Sequence, residues 1–528
     1  MARRPESTTL AFLVAAGVLL LIGGWLRFIT WPWQTHVWAV DYLVYYEPQA
    51  RALAGGALHH WLFSWEGLHP PVSGAIHGAL MAAGAPLAAQ WALSTVSMLS
   101  AGAVVAWAVA RGTGAYLAGL LVFGVACVAP LTVNYGLTVS PYTTAIIFTA
   151  ASTVAAWAAA EAPTPRRFLL AGVLGGLALQ THVLALAVVG AHGLWFGLRG
   201  PAWLRTHRRA AVAWAGAVGV FVLPLVVAAF AKTSDPWTFH QDTAEPFWGT
   251  LKLSLHERFG GRATGAAATV VVAVAGLAGL VRRPRGLSAL LTLSGGAWIA
   301  ALLAFFALGV AAPRQSHYFP TAQLLLVGGA AAAWGELPRR RPASFAAALL
   351  ALVWVVPALG HQLDRRERAR AVLADHARAR AAVRDVYAGA GEGDTVAYLW
   401  AYSFLNDEPE HLDPFAAWPL DGLGGFCADV EVPRALCLSG GGAGFFFDPT
   451  SFAGSLDGLD SALMQWIDQA RPPGRATLVV VPPSDAGPHP WPIDRWLEGH
   501  GGVAEHHPGV SIWRMPTGLR IEEVGGPP

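Results

Sequence analysis

The sequence predicts a polytopic α-helical membrane protein carrying a soluble α/β domain at its C-terminal end. Hydrophobic residues make up 54% of the 528 and charged residues only 13%, at a mean hydropathy of +0.45. A soluble domain carries about 25% charged residues, so most of this chain lacks the groups that keep a surface wet. The second observation is an abrupt change near His361, beyond which the composition becomes that of an ordinary soluble domain. The expected division is therefore a membrane domain over 1–360 and a soluble domain over 361–528.

The opening stretch "MARRPESTTLAFLVAAGVLLLIGGWLRF" is longer in its apolar part than a signal peptide and has no small-residue cleavage site behind it. It reads as a retained anchor. Runs of about 20 apolar residues, enough to cross ~30 Å of hydrocarbon, lie near 9–29, 87–110, 114–133, 141–160, 210–231, 265–281, 287–309, 317–335 and 343–359. The stretch 168–198 is too long for one span, and Gln180, Thr181 and His182 at its middle predict two short helices meeting at the far surface. The total is about eleven spans by this length criterion. "SGAIHGALMAAGA" after His69 is short for a span and reads as a segment along the interface.

Basic residues gather in alternate loops: "MARR", Arg111, "PTPRR", "RGPAWLRTHRR", "RRPR" and "PRRRP". The positive-inside rule makes these loops cytoplasmic. The N-terminus is then cytoplasmic and, after an odd number of spans, the C-terminal domain is extracytoplasmic. The basic segment "DRRERARAVLADHARARAAVRD" runs against this assignment; the rule weakens for segments joined to long translocated domains. With a net charge of +2, the overall balance points to no nucleic-acid partner.

In the soluble domain "DTVAYLWA", "RATLVVVPP" and "VSIWRMP" read as strands, while "DGLDSALMQWIDQA" and "PIDRWLEGHG" read as helices. Cys427 and Cys437 are either a disulfide of an oxidising compartment or two core thiols. No metal-ligand cluster, P-loop or dinucleotide-binding glycine pattern is present in the sequence.

Carboxylates are few enough to be informative. The predicted outer face of the membrane domain offers Asp41, Glu47, Glu66, Asp235, Asp242, Glu245 and Glu257. Any base acting there is among them. Inside the spans the ionisable groups are His77, His182 and His192. Ion-coupled carriers place acidic or basic residues at mid-membrane, so this pattern favours an enzyme at the outer interface over a transporter. In "DYLVYYEPQARALAGG" a short helix would set Asp41, Tyr45 and Ala52 on one stripe and Glu47 and Arg51 as an i,i+4 pair on another. Pro48 is expected to bend it.

An Asp-led loop after the first span, followed by "HPPV" at His69–Val72, "AGVLGGLALQTH" at 171–182 and "RQSHYFPTAQLLLV" at 314–327, resembles the GT-C glycosyltransferases. The similarity is to the branch containing protein O-mannosyltransferases, lipid A aminoarabinose transferases and the RgtA/B/C/D-like domain. It covers residues 9 to about 335 by motif order, and a soluble tail after about eleven spans is common there.

The resemblance implies transfer of a sugar from a polyprenyl-phosphate donor to an unidentified acceptor, in a bacterial-type plasma membrane, with the catalytic loop within 30–86. Asp41 would be the general base. Arg51, His69, Arg258, Arg262, Arg314 and His317 would be candidates for the donor phosphate, supported by Glu47, Glu66, Tyr45, Asn134 and Tyr318. It requires no cofactor and leaves a divalent cation open. The chain departs from the family in having Tyr42 where a second loop acid is frequent, and no acid in "NYGLTVSPY". Simpler readings stand beside these: Asp41 as a helix cap, Glu47–Arg51 as a surface pair, His69 as a turn residue, His317 and Tyr318 as interface anchors and His182 as structural. A non-catalytic relative or carrier of lipid-linked sugars is the other functional reading.

Overall fold

The computed structural model describes residues 6–29, 37–38, 46–57, 70–85, 87–136, 138–231, 262–307 and 318–336. Beyond these it describes 360, 363, 382, 385, 395–400, 436–437, 476–481, 498–499, 501–507 and 510–514. The chain forms two compact units, one of residues 1–33 and 45–364, the other of 34–44 and 365–528.

The first unit is helical. Helix α1 (Glu6–Gly24) runs into a π-helical turn at Trp25–Ile29. Then come α2 (Glu47–Ala54), α3 (Val72–Ala82), α4 (Leu87–Thr113), α5 (Tyr116–Val128), α6 (Pro130–Gly136), α7 (Pro141–Glu161), α8 (Pro165–Thr181) and α9 (Ala185–Leu198). The short α10 (Pro201–Thr206) leads to α11 (Arg208–Ala231), α12 (Arg262–Arg282), α13 (Leu287–Ala307) and α14 (Phe319–Gly335). Proline opens α6, α7, α8 and α10, at the helical position where its missing N–H costs nothing. Five of the described helices are long and apolar enough to cross a membrane: 9–27, 89–113, 141–161, 208–227 and 287–305. Large apolar side chains stay exposed on α1, α11 and α12, among them Leu21, Val220 and Val281, as lipid-facing surfaces require. The chain is thus an integral, multi-pass, mostly helical membrane protein.

The expected break inside 168–198 falls at His182, between α8 and α9. The apolar run at 114–133 is divided at Ala129 into α5 and α6. Helix α3 departs from expectation. It is more enclosed than an exposed surface segment: Ser73 and His77 are fully buried, each with a polar partner on a neighbouring helix. The run expected at 343–359 lies outside the described residues.

Packing between α8 and α11 explains the small residues of "AGVLGGLALQTH". A methyl group on Gly172 would lie 2.7 Å from the Trp214 carbonyl oxygen, and one on Gly176 would overlap the Phe221 ring. Only glycine lets these two helices approach so closely.

In the second unit the described residues form a mixed five-stranded sheet of β1 (Thr395–Trp400), β2 (Leu436–Cys437), β3 (Ala476–Val481), β4 (Val503–His507) and β5 (Val510–Arg514), in the order β2-β1-β3-β5-β4. Strands β1 and β3 are parallel, with Thr395 opposite Ala476 and Trp400 opposite Val481. β5 runs antiparallel to both β3 and β4, and its Ile512 and Trp513 are buried. The three predicted strands coincide with β1, β3 and β5. The helix predicted over "DGLDSALMQWIDQA" and Cys427 lie outside the described residues.

Candidate functional site

Helix α2 begins at Glu47; Asp41 and Tyr45, expected on one stripe with Ala52, lie outside the described residues. Pro48 sits in the first turn of α2, a position helices tolerate. The Tyr46 side chain is fully buried, and its hydroxyl donates to the Thr181 carbonyl across 3.5 Å. Helix α2 rests on α3 through two glycines. A methyl group on Gly74 would meet Gln49 Oε1 at 2.7 Å, and one on Gly78 would meet the Ala50 carbonyl oxygen at 2.6 Å. The helix that follows the Asp41 loop is thereby seated on the helix that follows His69-Pro70-Pro71.

The other face of α3 is polar and tied down. Thr144 donates its hydroxyl hydrogen to the Pro141 carbonyl at 2.8 Å. The Ser73 hydroxyl, 2.8 Å from Thr144 Oγ1, must therefore be the donor in that pair. His77 Nδ1 bonds Gln90 Oε1, which fixes the proton on Nδ1 because an amide oxygen only accepts. Gln90 returns a bond from Nε2 to the His77 carbonyl at 3.3 Å. Two residues one helical turn apart thus lock α3 to α7 and α4.

A ring cluster closes the same end of the bundle. His182 caps α8 in extended backbone conformation, and its Nδ1 accepts from the Leu184 backbone N–H at 3.2 Å. The neutral imidazole therefore carries its proton on Nε2. Around it stand Tyr142 at 4.7 Å, Trp298 at 5.9 Å and Tyr318 at 6.0 Å between ring centroids. Tyr142 meets Tyr318 edge-on at 5.0 Å, and the Trp298 indole N–H donates to the Tyr318 carbonyl at 2.7 Å. Starts of α7 and α14 and the end of α8 are held around one imidazole.

Of the residues singled out from sequence, Tyr318 is in this cluster and Arg51 lies exposed on α2. Glu47, Asn134 and Arg262 are carried by α2, α6 and α12. Asp41, Tyr45, Glu66, His69, Arg258, Arg314 and His317 lie outside the described residues.

Arg27 is the ionisable residue that the reading of the spans overlooked. It is fully buried and donates to four carbonyls: Gly23 at 3.0 Å, Cys127 at 2.7 Å, Ala126 at 2.9 Å and Thr132 at 3.0 Å. Ala126 and Cys127 belong to the last turn of α5, whose carbonyls have no partner within the helix and carry the negative end of its dipole. The available signal was an arginine inside an otherwise apolar "GGWLRFI".

The sequence matches no protein-family model and no curated protein. Solved structures do match. ArnT from Cupriavidus metallidurans bound to undecaprenyl phosphate aligns with 97% of this chain and 98% of its own, at a TM-score of 0.51 and 14% identity. The apo state of the same protein aligns with 96% of this chain and 98% of its own, at a TM-score of 0.55 and 14% identity. At this identity the likeness is one of fold, and it spans both the membrane helices and the tail. The chain has the fold seen in ArnT.

Proposed function

We propose that this protein transfers a sugar from a polyprenyl-phosphate carrier to an acceptor hydroxyl at the outer face of the membrane. The observation that carries the reading is the ArnT fold over nearly the whole chain, joined to an Asp41 loop and a "HPPV" motif in the same order as in the GT-C enzymes. One of the two ArnT structures holds undecaprenyl phosphate, a lipid of the class proposed here. The packing of α2 on α3 through Gly74 and Gly78 supports it, since both motif-bearing loops then feed into one block of structure.

In the proposed reaction the acceptor oxygen attacks the anomeric carbon as Asp41 takes its proton. The bond from that carbon to the phosphate oxygen breaks, and the lipid phosphate leaves with the electron pair. Fixed positive charge beside the leaving group lowers the barrier. Arg51, His69, Arg258, Arg262, Arg314 and His317 are the residues proposed for it, with Tyr318, Tyr45, Asn134, Glu47 and Glu66 in support. The polyprenyl tail would lie along apolar grooves between spans. About eleven spans, a cytoplasmic N-terminus and an extracytoplasmic α/β domain over 361–528 complete the proposal.

Native mass spectrometry of the full chain with polyprenyl phosphate and its sugar-loaded forms tests this. Binding is expected to survive Asp41→Asn and to weaken in the Arg314→Ala, His317→Ala double variant. Absence of any polyprenyl-phosphate adduct on the unmodified protein overturns the reading.

A further inference from the structure

The end of the bundle opposite His182 carries the basic residues of 166–167, 199–209 and 282–285. Its hub is Arg199, which donates to the Ala160 carbonyl at 3.1 Å, to Glu161 Oε1 at 3.0 Å and to the Arg285 carbonyl at 3.2 Å. Its guanidinium lies 4.5 Å from the Trp195 ring and 5.4 Å from the Trp203 ring. Glu161 is the only carboxylate in the sequence between Glu66 and Asp235, and Arg199 engages it.

Beside this hub stand arginines with no carboxylate partner among the described residues. Arg166 and Arg167 occupy the first turn of α8, Arg208 and Arg209 the first turn of α11, and Arg205 the last turn of α10 between them. All five are exposed. Helices α8 and α11 run side by side and in the same direction, as Gly172 against Trp214 and Gly176 against Phe221 require. Their first turns therefore share one end of the bundle. Trp203 sits in that corner, half-buried, with its ring 6.1 Å from Phe168 and 5.0 Å from His207. One turn deeper the surface is apolar and open: Leu169 is 48% exposed, Leu170 55% and Val212 70%.

We propose that this corner binds the headgroup of an anionic phospholipid. The arginines supply planar donors matched to a phosphodiester, and Trp203 anchors the corner at headgroup depth. Leu169, Leu170 and Val212 lie where the acyl chains of the same molecule would run. Basic corners between membrane helices recognise anionic lipids in this way, at about a five-fold gain in affinity per engaged basic group. A free anion would use the arginines but gain nothing from the apolar track. The site lies at the end of the bundle opposite His182 and uses none of the residues proposed for sugar transfer, so it stands or falls separately from that proposal.

The test is native mass spectrometry and thermal unfolding of the full chain in detergent, with phosphatidylglycerol or phosphatidylcholine of matched acyl chains. Phosphatidylglycerol is expected to bind at least about tenfold more tightly and to raise the melting temperature. A variant with Arg166→Gln, Arg167→Gln, Arg208→Gln and Arg209→Gln should lose that preference, while the same four positions changed to Lys should keep most of it. Should the glutamine variant fail to fold, the single changes Arg166→Gln and Arg209→Gln are each expected to weaken phosphatidylglycerol binding several-fold. Equal binding of the two lipids overturns the proposal, as does a preference that all these glutamine variants retain. Inorganic phosphate that matches phosphatidylglycerol in stabilising the protein overturns the lipid assignment and leaves a simple anion site.

Discussion

Arg27 donates to the Cys127 carbonyl at 2.7 Å across one hundred residues of sequence, and this bond ties the first membrane helix to the end of α5. The guanidinium also satisfies Ala126, Thr132 and Gly23, so its removal orphans several buried acceptors at once. Each buried acceptor left unpaired costs about 1–3 kcal/mol. Arg27→Met is expected to lower the stability of the purified protein by at least ~3 kcal/mol on that basis. Arg27→Lys keeps a charge and three donors and should fall between the two. Thermal unfolding in detergent reads the order; a methionine variant as stable as the parent would show that Arg27 is dispensable to the fold.

Gly78 gives a cleaner probe of the α2–α3 seat. A methyl there would lie 2.6 Å from the Ala50 carbonyl oxygen, whereas nothing lies within 4 Å of one placed on Gly190. Overpacking of this kind costs about 1–3 kcal/mol, and alanine in an uncrowded helix position gains roughly 0.5–1 kcal/mol. Gly78→Ala should therefore destabilise and displace α2, lowering the proposed sugar transfer by more than the loss of folded protein accounts for. Gly190→Ala should be neutral or stabilising with activity intact. Activity per folded molecule, measured for both, separates the outcomes.

How much of this was legible in advance depends on how local the cause is. The break at His182 was readable because a Gln-Thr-His run inside an apolar stretch has no lipid-compatible reading, and the prolines that open α6, α7, α8 and α10 mark those starts directly. Burial of α3 was not readable. Ser73 and His77 resemble interface residues until Thr144 and Gln90 arrive from other helices to pair with them. Arg27 was missed for the same reason, since its acceptors are carbonyls, which no residue pattern displays. For the proposed site the motif order marks Asp41 and His69, which lie outside the described residues, and Tyr318 by its place in "RQSHYFPTAQLLLV". The ring cluster that holds Tyr318 was not legible, because Tyr142, His182 and Trp298 come from three separate helices or helix ends.

Glu336, just past the end of α14, supplies a pH dependence. Its side chain is only 11% exposed. Burial raises its carboxyl above the ordinary value of 4.5, while the Ser288 hydroxyl at 3.2 Å and Arg283 pull the other way. A raised folded-state value means that the unfolded chain releases this proton first. The contribution to stability is therefore full below pH 4.5 and is lost as the pH rises through the folded-state value. Glu336→Gln keeps a partner for Ser288 and cannot ionise. Across that window the parent should lose stability relative to the glutamine variant as pH increases; parallel stability curves would mean that the carboxylate titrates as it does in the unfolded chain.

Asp41 is separated from the other loop carboxylates by turnover. If it takes the acceptor proton, Asp41→Asn should lower kcat by about 10²- to 10⁴-fold, the usual contribution of a general base, while polyprenyl-phosphate binding is kept. Glu47 and Glu66 are the acids left in the loop to stand in for the one replaced by Tyr42. An assisting role for either predicts a smaller loss, roughly tenfold or less, and one that raises KM rather than lowering kcat when the residue only helps to bind. Glu47 also sits one turn before Arg51 on α2, and ion pairs at that helical spacing generally contribute less than about 1 kcal/mol to stability. Loss of folded protein in Glu47→Gln is therefore not expected. Steady-state kinetics of Asp41→Asn, Glu47→Gln and Glu66→Gln with a sugar-loaded polyprenyl phosphate rank the three. A kcat for Asp41→Asn within threefold of the parent would move the base to another carboxylate.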